Sequence, residues 1–156
     1  MDLSPRSMVV FYALFIATIL QLVPAYDGWI DWKPNFILTV VMVLIVNQPQ
    51  HFGVTFAALV GLFADGVFGT TVGQFMLIFT LCGGIVLLLS RWTHYFAFFY
   101  RFLVIFCISL FAAFAQTVLG NLQGSLIALD YLPGMALMSA LLLPLAEKFI
   151  GVSRES

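Results

Sequence analysis

Residues 53–73 read GVTFAALVGLFADGVFGTTVG. The stretch is apolar for more than four helical turns, carries Asp65 as its one charge, and places Gly53, Ala57, Gly61, Asp65, Gly69 and Gly73 at a constant spacing of four. A spacing of four keeps residues on one slowly winding face of a helix, because successive turns stack side chains at i and i+4. Small residues on such a face let a second backbone approach closely, which is how helices associate where the surrounding medium is as apolar as their side chains. Two uses of the stripe are open at this stage: packing within the chain, and a partner helix lying in it.

Asp65 needs a polar reason to sit in an apolar helix. It lies about 20 Å along the run from the turn that precedes it. One reading makes it a contact for a ligand, an ion or a partner; the other makes it a cap for local donors around the turn from Gly66 to Gly73. It has no second acid, base or nucleophile at facing depth, and general acid-base chemistry needs one.

The same apolar character extends over the whole chain. Of 156 residues, 63% are hydrophobic and 8% charged, and the mean hydropathy is +1.11, beyond the balance of a domain with a solvated surface. A membrane-crossing helix takes about 20 apolar residues. Apolar runs near 8–23, 35–48, 53–68, 74–90, 102–119 and 133–150 predict an all-α polytopic bundle of about six transmembrane helices. Residues 1–156 would form a single integral membrane domain with short loops. The run Met8 to Val23, followed by Pro24 and Ala25, imitates a signal peptide but reads as an uncleaved first helix. The second run is short: Asn35 to Gln48 rises about 21 Å, against a core of about 30 Å. Either the bilayer thins there or part of Trp32 to Phe36 dips below the interface, shielded by other helices. Pro34 is expected in the first helical turn, where a missing N–H costs nothing.

Charge is sparse and informative. The formal net charge is -1 and no basic stretch is dense enough to track phosphates, which excludes a nucleic-acid footprint. Under the positive-inside rule, the spans put Arg6, Arg91, Arg101, Lys148 and Arg154 on the inner side and Lys33 on the outer side, with both termini cytoplasmic. Asp27, Asp31 and Asp130 then fall outside. Cys82 and Cys107 lie in apolar runs without metal-ligand spacing, so no metal or cofactor is expected. The connector from Arg91 to Arg101 alternates aromatic bulk with cationic ends, as an interfacial belt or a docking surface for a cytoplasmic partner would. His51 and His94 are solitary. Ala13 and Ala17 form a second small-residue pair, Gln116 is expected to hydrogen-bond another helix, and Pro144 predicts a kink.

Taken in order, Trp32-Lys33-Pro34-Asn35-Phe36, Pro49, Gly61 to Asp65 followed by Gly69, Thr70 and Gly73, and Pro144 ahead of a charged C-terminus make a pattern that resembles the rod shape-determining protein MreD family. The chain departs from that pattern where Gln50 and His51 replace a more basic pair. The resemblance implies a non-enzymatic scaffold subunit of the cell-elongation complex in the bacterial inner membrane. Such a subunit would pair with the bitopic protein MreC and link MreB filaments to wall synthesis by RodA and a penicillin-binding transpeptidase. The spacing of four and this pattern together mark Gly53, Ala57, Gly61, Asp65, Gly69, Gly73, Trp32, Pro34 and Asn35 as candidates for partner binding or packing. The family's architecture is similar to the S components of energy-coupling-factor transporters, so a vitamin-binding S component is the alternative. A vitamin pocket requires converging polar or aromatic groups, for which Asp65, Gln74, Gln116 and Trp32 are the candidates. Motifs such as His-Glu-x-x-His, Gly-x-Ser-x-Gly or paired intramembrane aspartates, which would carry an enzymatic reading, do not occur.

Overall fold

A helix that is apolar on every side has to be surrounded by protein or lipid, and FILTVVMVLIVN at 36–47 is such a sequence. The computed structural model describes residues 5–24, 33–69, 71–93, 98–124, 130 and 132–149. Among them the chain is helical, with α1 at Pro5–Leu22, α2 at Phe36–Asn47, α3 at Val54–Phe68, α4 at Gln74–Thr93, α5 at Phe98–Leu122, α6 at Leu132–Leu141 and α7 at Leu143–Phe149. The expectations attached to Trp32, Thr70, Asp27, Asp31, His94 and Arg154, and to the side chains of Arg6 and Arg91, lie outside what is described.

The short second run becomes the centre of the molecule. Ile37, Leu38, Val41, Met42, Val43, Leu44 and Ile45 are fully buried, and α2 touches α1, α4, α5, α6 and α7. At 12 residues it rises about 18 Å. Its non-helical lead-in, Lys33 to Asn35, is half-buried against other elements, the setting in which irregular backbone is tolerated inside an apolar bundle. The helix starts one step later than the sequence predicts. Asn35 is the N-cap and its Oδ1 accepts the Leu38 N–H at 3.1 Å, so Pro34 stands ahead of the helix and not in its first turn. The asparagine side chain supplies the acceptor that sets the boundary.

The start of α2 is tied to both ends of the chain. Gln21 Oε1 accepts the Phe36 N–H at 3.0 Å, while Lys33 Nζ donates to the carbonyls of Gln21 at 2.5 Å and Val23 at 2.6 Å. A donor-starved helix end and an acceptor-starved one thus answer each other across the α1–α2 corner. Partial burial there draws the Lys33 pKa below its ordinary value. On the other flank the Asn35 N–H donates to Ser139 Oγ at 3.3 Å, reaching α6.

One further boundary differs from the sequence expectation, and another follows it. Both described ends of the aromatic connector are helical, with α4 running on to Thr93 and α5 beginning at Phe98. No Gly or Pro between Arg91 and Arg101 is available to stop either helix. The last apolar run is broken, with α6 ending at Leu141 and α7 starting at Leu143. Pro144 has no N–H to continue the ladder. Among the described residues, Phe99–Leu122 is the one stretch long and apolar enough to cross a membrane by length and composition, and the apolar stretches Met8–Leu22, Phe36–Asn47, Val54–Phe68 and Gln74–Ser90 are shorter.

At the far end of α2, Arg101 turns inward and does not join an interfacial belt. It is buried, donates to Asn47 Oδ1 and lies 2.6 Å from Glu147 Oε1. One guanidinium therefore joins α2, α5 and α7. Beside it Leu143 is fully buried with Val43 and Ile105, which fixes the short α7 by packing as well as charge. Removing one partner of a buried ion pair leaves an uncompensated charge and costs about 3–5 kcal/mol, whereas replacing both by apolar groups is often close to neutral. Thermal unfolding in detergent should therefore show a large loss for Arg101→Met and substantial recovery in the double variant Arg101→Met with Glu147→Leu. A single variant as stable as the parent would show that the pair contributes nothing.

Candidate functional site

The stripe at 53–73 faces the interior of the chain over its middle. Ala57, Gly61, Ala64 and Asp65 are buried, and α4 covers them. A Cβ built on Gly61 would lie 2.6 Å from Met76 Cα and 2.7 Å from the Phe75 carbonyl oxygen, so the two backbones touch there. One step along, a Cβ on Gly83 of α4 would meet Ala57 Cβ at 2.8 Å and Ile45 Cδ1 at 3.4 Å. Gly83 is a contact that the sequence reading passed over, although the triplet Cys82-Gly83-Gly84 offered a signal: small residues in mid-helix.

The ends of the stripe do a different job. Gly53 is the N-cap of α3 in an extended conformation and Gly69 its C-cap at φ 61. Gly73, at φ 100, turns the chain into α4. Positive φ is open to glycine without the strain that a Cβ brings. The regular spacing of four therefore contains two functions, close approach at 57 and 61 and chain reversal at 69 and 73.

Asp65 connects them. Its Oδ2 accepts the N–H of Gly73 at 2.9 Å and of Met76 at 3.2 Å, and its Oδ1 accepts that of Phe75 at 2.8 Å. These are donors that the first turn of α4 cannot satisfy internally. A carboxylate at a helix N-terminus also meets the positive end of the helix dipole. Of the two readings of Asp65, this geometry is that of the cap: Gly73 belongs to the expected turn, and Phe75 and Met76 extend the set of donors into α4.

The other polar candidates are dispersed. Gln74 Oε1 accepts from Gln123 Nε2 at 3.3 Å, at the exposed junction of α4 and α5. Gln116 makes no interhelical hydrogen bond, and its Nε2 is buried and unpaired among the described residues. Ser139 Oγ, on the wall of the same small cavity, donates to Met135 O at 2.9 Å and accepts the Asn35 N–H at 3.3 Å. Asn35 is a cap and Pro34 its lead-in. Among the described residues, Asp65, Gln74 and Gln116 are not brought to a common cavity. The larger grooves are mainly apolar: one of about 490 Å³ lies over Leu20, Phe36, Met138 and Leu145 and includes Lys33, one of about 440 Å³ runs between α1 and α3 over Leu14, Phe56, Val60 and Phe63, and another of about 270 Å³ runs beside Ala13 and Ala17 toward Leu145 and Ala146.

Two expectations follow. Gly61→Ala already forces a methyl into backbone, which no rotamer can relieve, so membrane abundance should fall several-fold. Gly66→Ala, whose Cβ meets nothing within 4 Å, should hold or gain up to about 1 kcal/mol from helix propensity. Equal abundance of the two variants would refute the close crossing.

For Asp65, Asn keeps one acceptor but turns an amide NH₂ toward backbone donors, and Leu removes both acceptors. Each hydrogen bond to a charged acceptor is worth about 1.5–3 kcal/mol. Abundance should fall in the order wild type, Asp65→Asn, Asp65→Leu, with rod-shape complementation falling in parallel. Normal abundance of Asp65→Asn with lost rod shape would overturn the capping role.

No curated protein and no solved structure matches the chain. The family model for rod shape-determining protein MreD matches residues 4–151, a range that takes in the Asp65 cap, the central helix α2 and the Arg101 pair. The chain belongs to the MreD family of rod shape-determining proteins.

Proposed function

We propose that the chain is a non-enzymatic, multi-pass scaffold of the bacterial inner membrane that maintains rod shape by holding other members of the cell-elongation complex. Membership of a rod shape-determining family supports the process, and the distribution of polarity supports the mode of action. Large apolar side chains face outward around the molecule, among them Phe11 at 70%, Leu88 at 70% and Phe99 at 73% exposure. Helical hydroxyls bond back to their own helix: Thr18 to Leu14 O, Thr39 to Asn35 O, Thr80 to Met76 O and Thr117 to Ala113 O. A surface that is apolar outward with its hydroxyls satisfied inward suits lipid.

The observation that carries the non-enzymatic part is Asp65. The carboxylate in the middle of the most distinctive motif is committed to three backbone N–H groups, which leaves it poorly placed to exchange a proton with a substrate. The chemistry of wall synthesis would then belong to the partners that the family resemblance implies: RodA and a penicillin-binding transpeptidase, reached through MreC and MreB. With both termini on the cytoplasmic side, the Arg101–Glu147 end of the bundle faces inward and the Asp65 end outward. The dispersal of Asp65, Gln74 and Gln116 gives the vitamin-transporter reading no focus.

In rod-shaped cells depleted of their own family member, expression of this chain should restore rod shape. Extraction in mild detergent should co-purify a bitopic MreC protein, and alkaline phosphatase fused after Ser156 should be inactive. A vitamin retained through purification, with no bitopic partner, would replace the scaffold with an S component.

A further inference from the structure

Where α2, α5 and α6 meet, a small cavity is lined by Asn35, Ser109, Gln116, Met135 and Ser139 together with Leu38 and two alanines. It offers about 10 Å³ to the centre of a water-sized sphere, at the lower edge of the roughly 10–15 Å³ that one water needs. Gln116 Nε2 is a buried donor here without a partner among the described residues. Leaving such a donor unanswered in an apolar bundle is unfavourable, and a group able to help answer it is close by. The Ser139 oxygen receives the Asn35 N–H and donates its own proton to Met135 O, so of its two lone pairs one is still available. Ser109 adds a buried hydroxyl to the same wall.

We propose that this cavity is a binding site for a single structural water that accepts from Gln116 Nε2 and donates to hydroxyl oxygens of Ser139 and Ser109. A water fits where a larger ligand does not, because the space holds one oxygen and its polar lining comes from three helices. Two to four polar partners are what a buried water requires. The site joins α5 to the node where Asn35 already joins α2 to α6, so the water completes a three-helix polar joint within the apolar bundle.

The sign of one substitution separates the bridged amide from an orphaned one. Gln116→Met keeps length and flexibility and removes the amide. An orphaned Nε2 predicts that the variant is more stable, since its desolvation penalty disappears; a bridging water predicts a melting temperature in detergent lower by about 2–4 °C. Hydroxyl-radical labelling supplies the second readout through Met135. In the parent protein, oxygen-18 introduced as labelled bulk water should reach Met135 oxidation products more slowly than those of exposed Met76, and Gln116→Met should abolish that lag. A raised melting temperature, or Met135 labelling that follows bulk water in the parent, would overturn the proposal.

Discussion

An N-terminal helix turn presents N–H groups that the helix itself cannot satisfy, and in apolar surroundings no solvent takes them. The fold answers this at α4 with Asp65, and the answer works only at close range, because bonds of 2.8–3.2 Å require α3 and α4 to lie nearly backbone to backbone. Gly61, one turn before the acid on the same face, is what allows it: its missing side chain is the space occupied by Met76 Cα and the Phe75 carbonyl. Capping and packing are thus one constraint. A bulky residue at 61 would draw the donors away from the carboxylate, and a residue without acceptors at 65 would leave the close crossing with unsatisfied ends.

From that hairpin the order spreads inward. Gly83 of α4 rests on Ala57 and reaches Ile45, which places α2 against the pair, and α2 then organises the remainder from its two ends. At its start, Gln21, Lys33, Asn35 and Ser139 exchange hydrogen bonds among α1, α2 and α6. At its finish, Asn47, Arg101 and Glu147 join α5 and α7. Between these polar ends the contact is apolar throughout, from Ile37 to Val46 on α2 and from Ile78 to Val86 on α4. Apolar packing alone specifies register weakly; polar groups that must find each other at both ends remove that freedom.

Much of this was legible in the residues. Glycine at a spacing of four marked a close crossing, with a partner helix or within the chain, an acid inside an apolar run marked a polar contact or a set of donors to cap, and Pro144 marked a break; the structure supplies the neighbour that decides the first two. What stayed hidden was relational. Nothing local to Arg101 distinguishes a guanidinium bound for the interface from one buried against Glu147, 46 positions later in the chain. Nothing local to Ser139 marks it as an acceptor for the Asn35 N–H, a bond that spans 104 positions. The start of α2 was misplaced for a related reason. Proline at a first turn and asparagine at an N-cap are both good rules, and with Pro34 and Asn35 adjacent only one can hold; the side chain with an acceptor prevailed.

The inward direction of the stripe also bears on how a chain of this family can associate. With Ala57, Gly61 and Asp65 buried against α4, the middle of the stripe supports the fold, and the faces open to association are the outer ones. Those faces are unequal. α3 packs chiefly on α4, and α1 chiefly on α2, with apolar grooves on either side of α1, whereas α2 is enclosed and α5 is held between α4 and α6. A change at the stripe would therefore reach a partner only by moving α3 relative to α4, and it would do so together with a loss of stability. A change on the outer face of α1 or α3 can alter association and leave the Asp65 cap intact, and that physical separation between fold and surface lets the two be dissected by substitution.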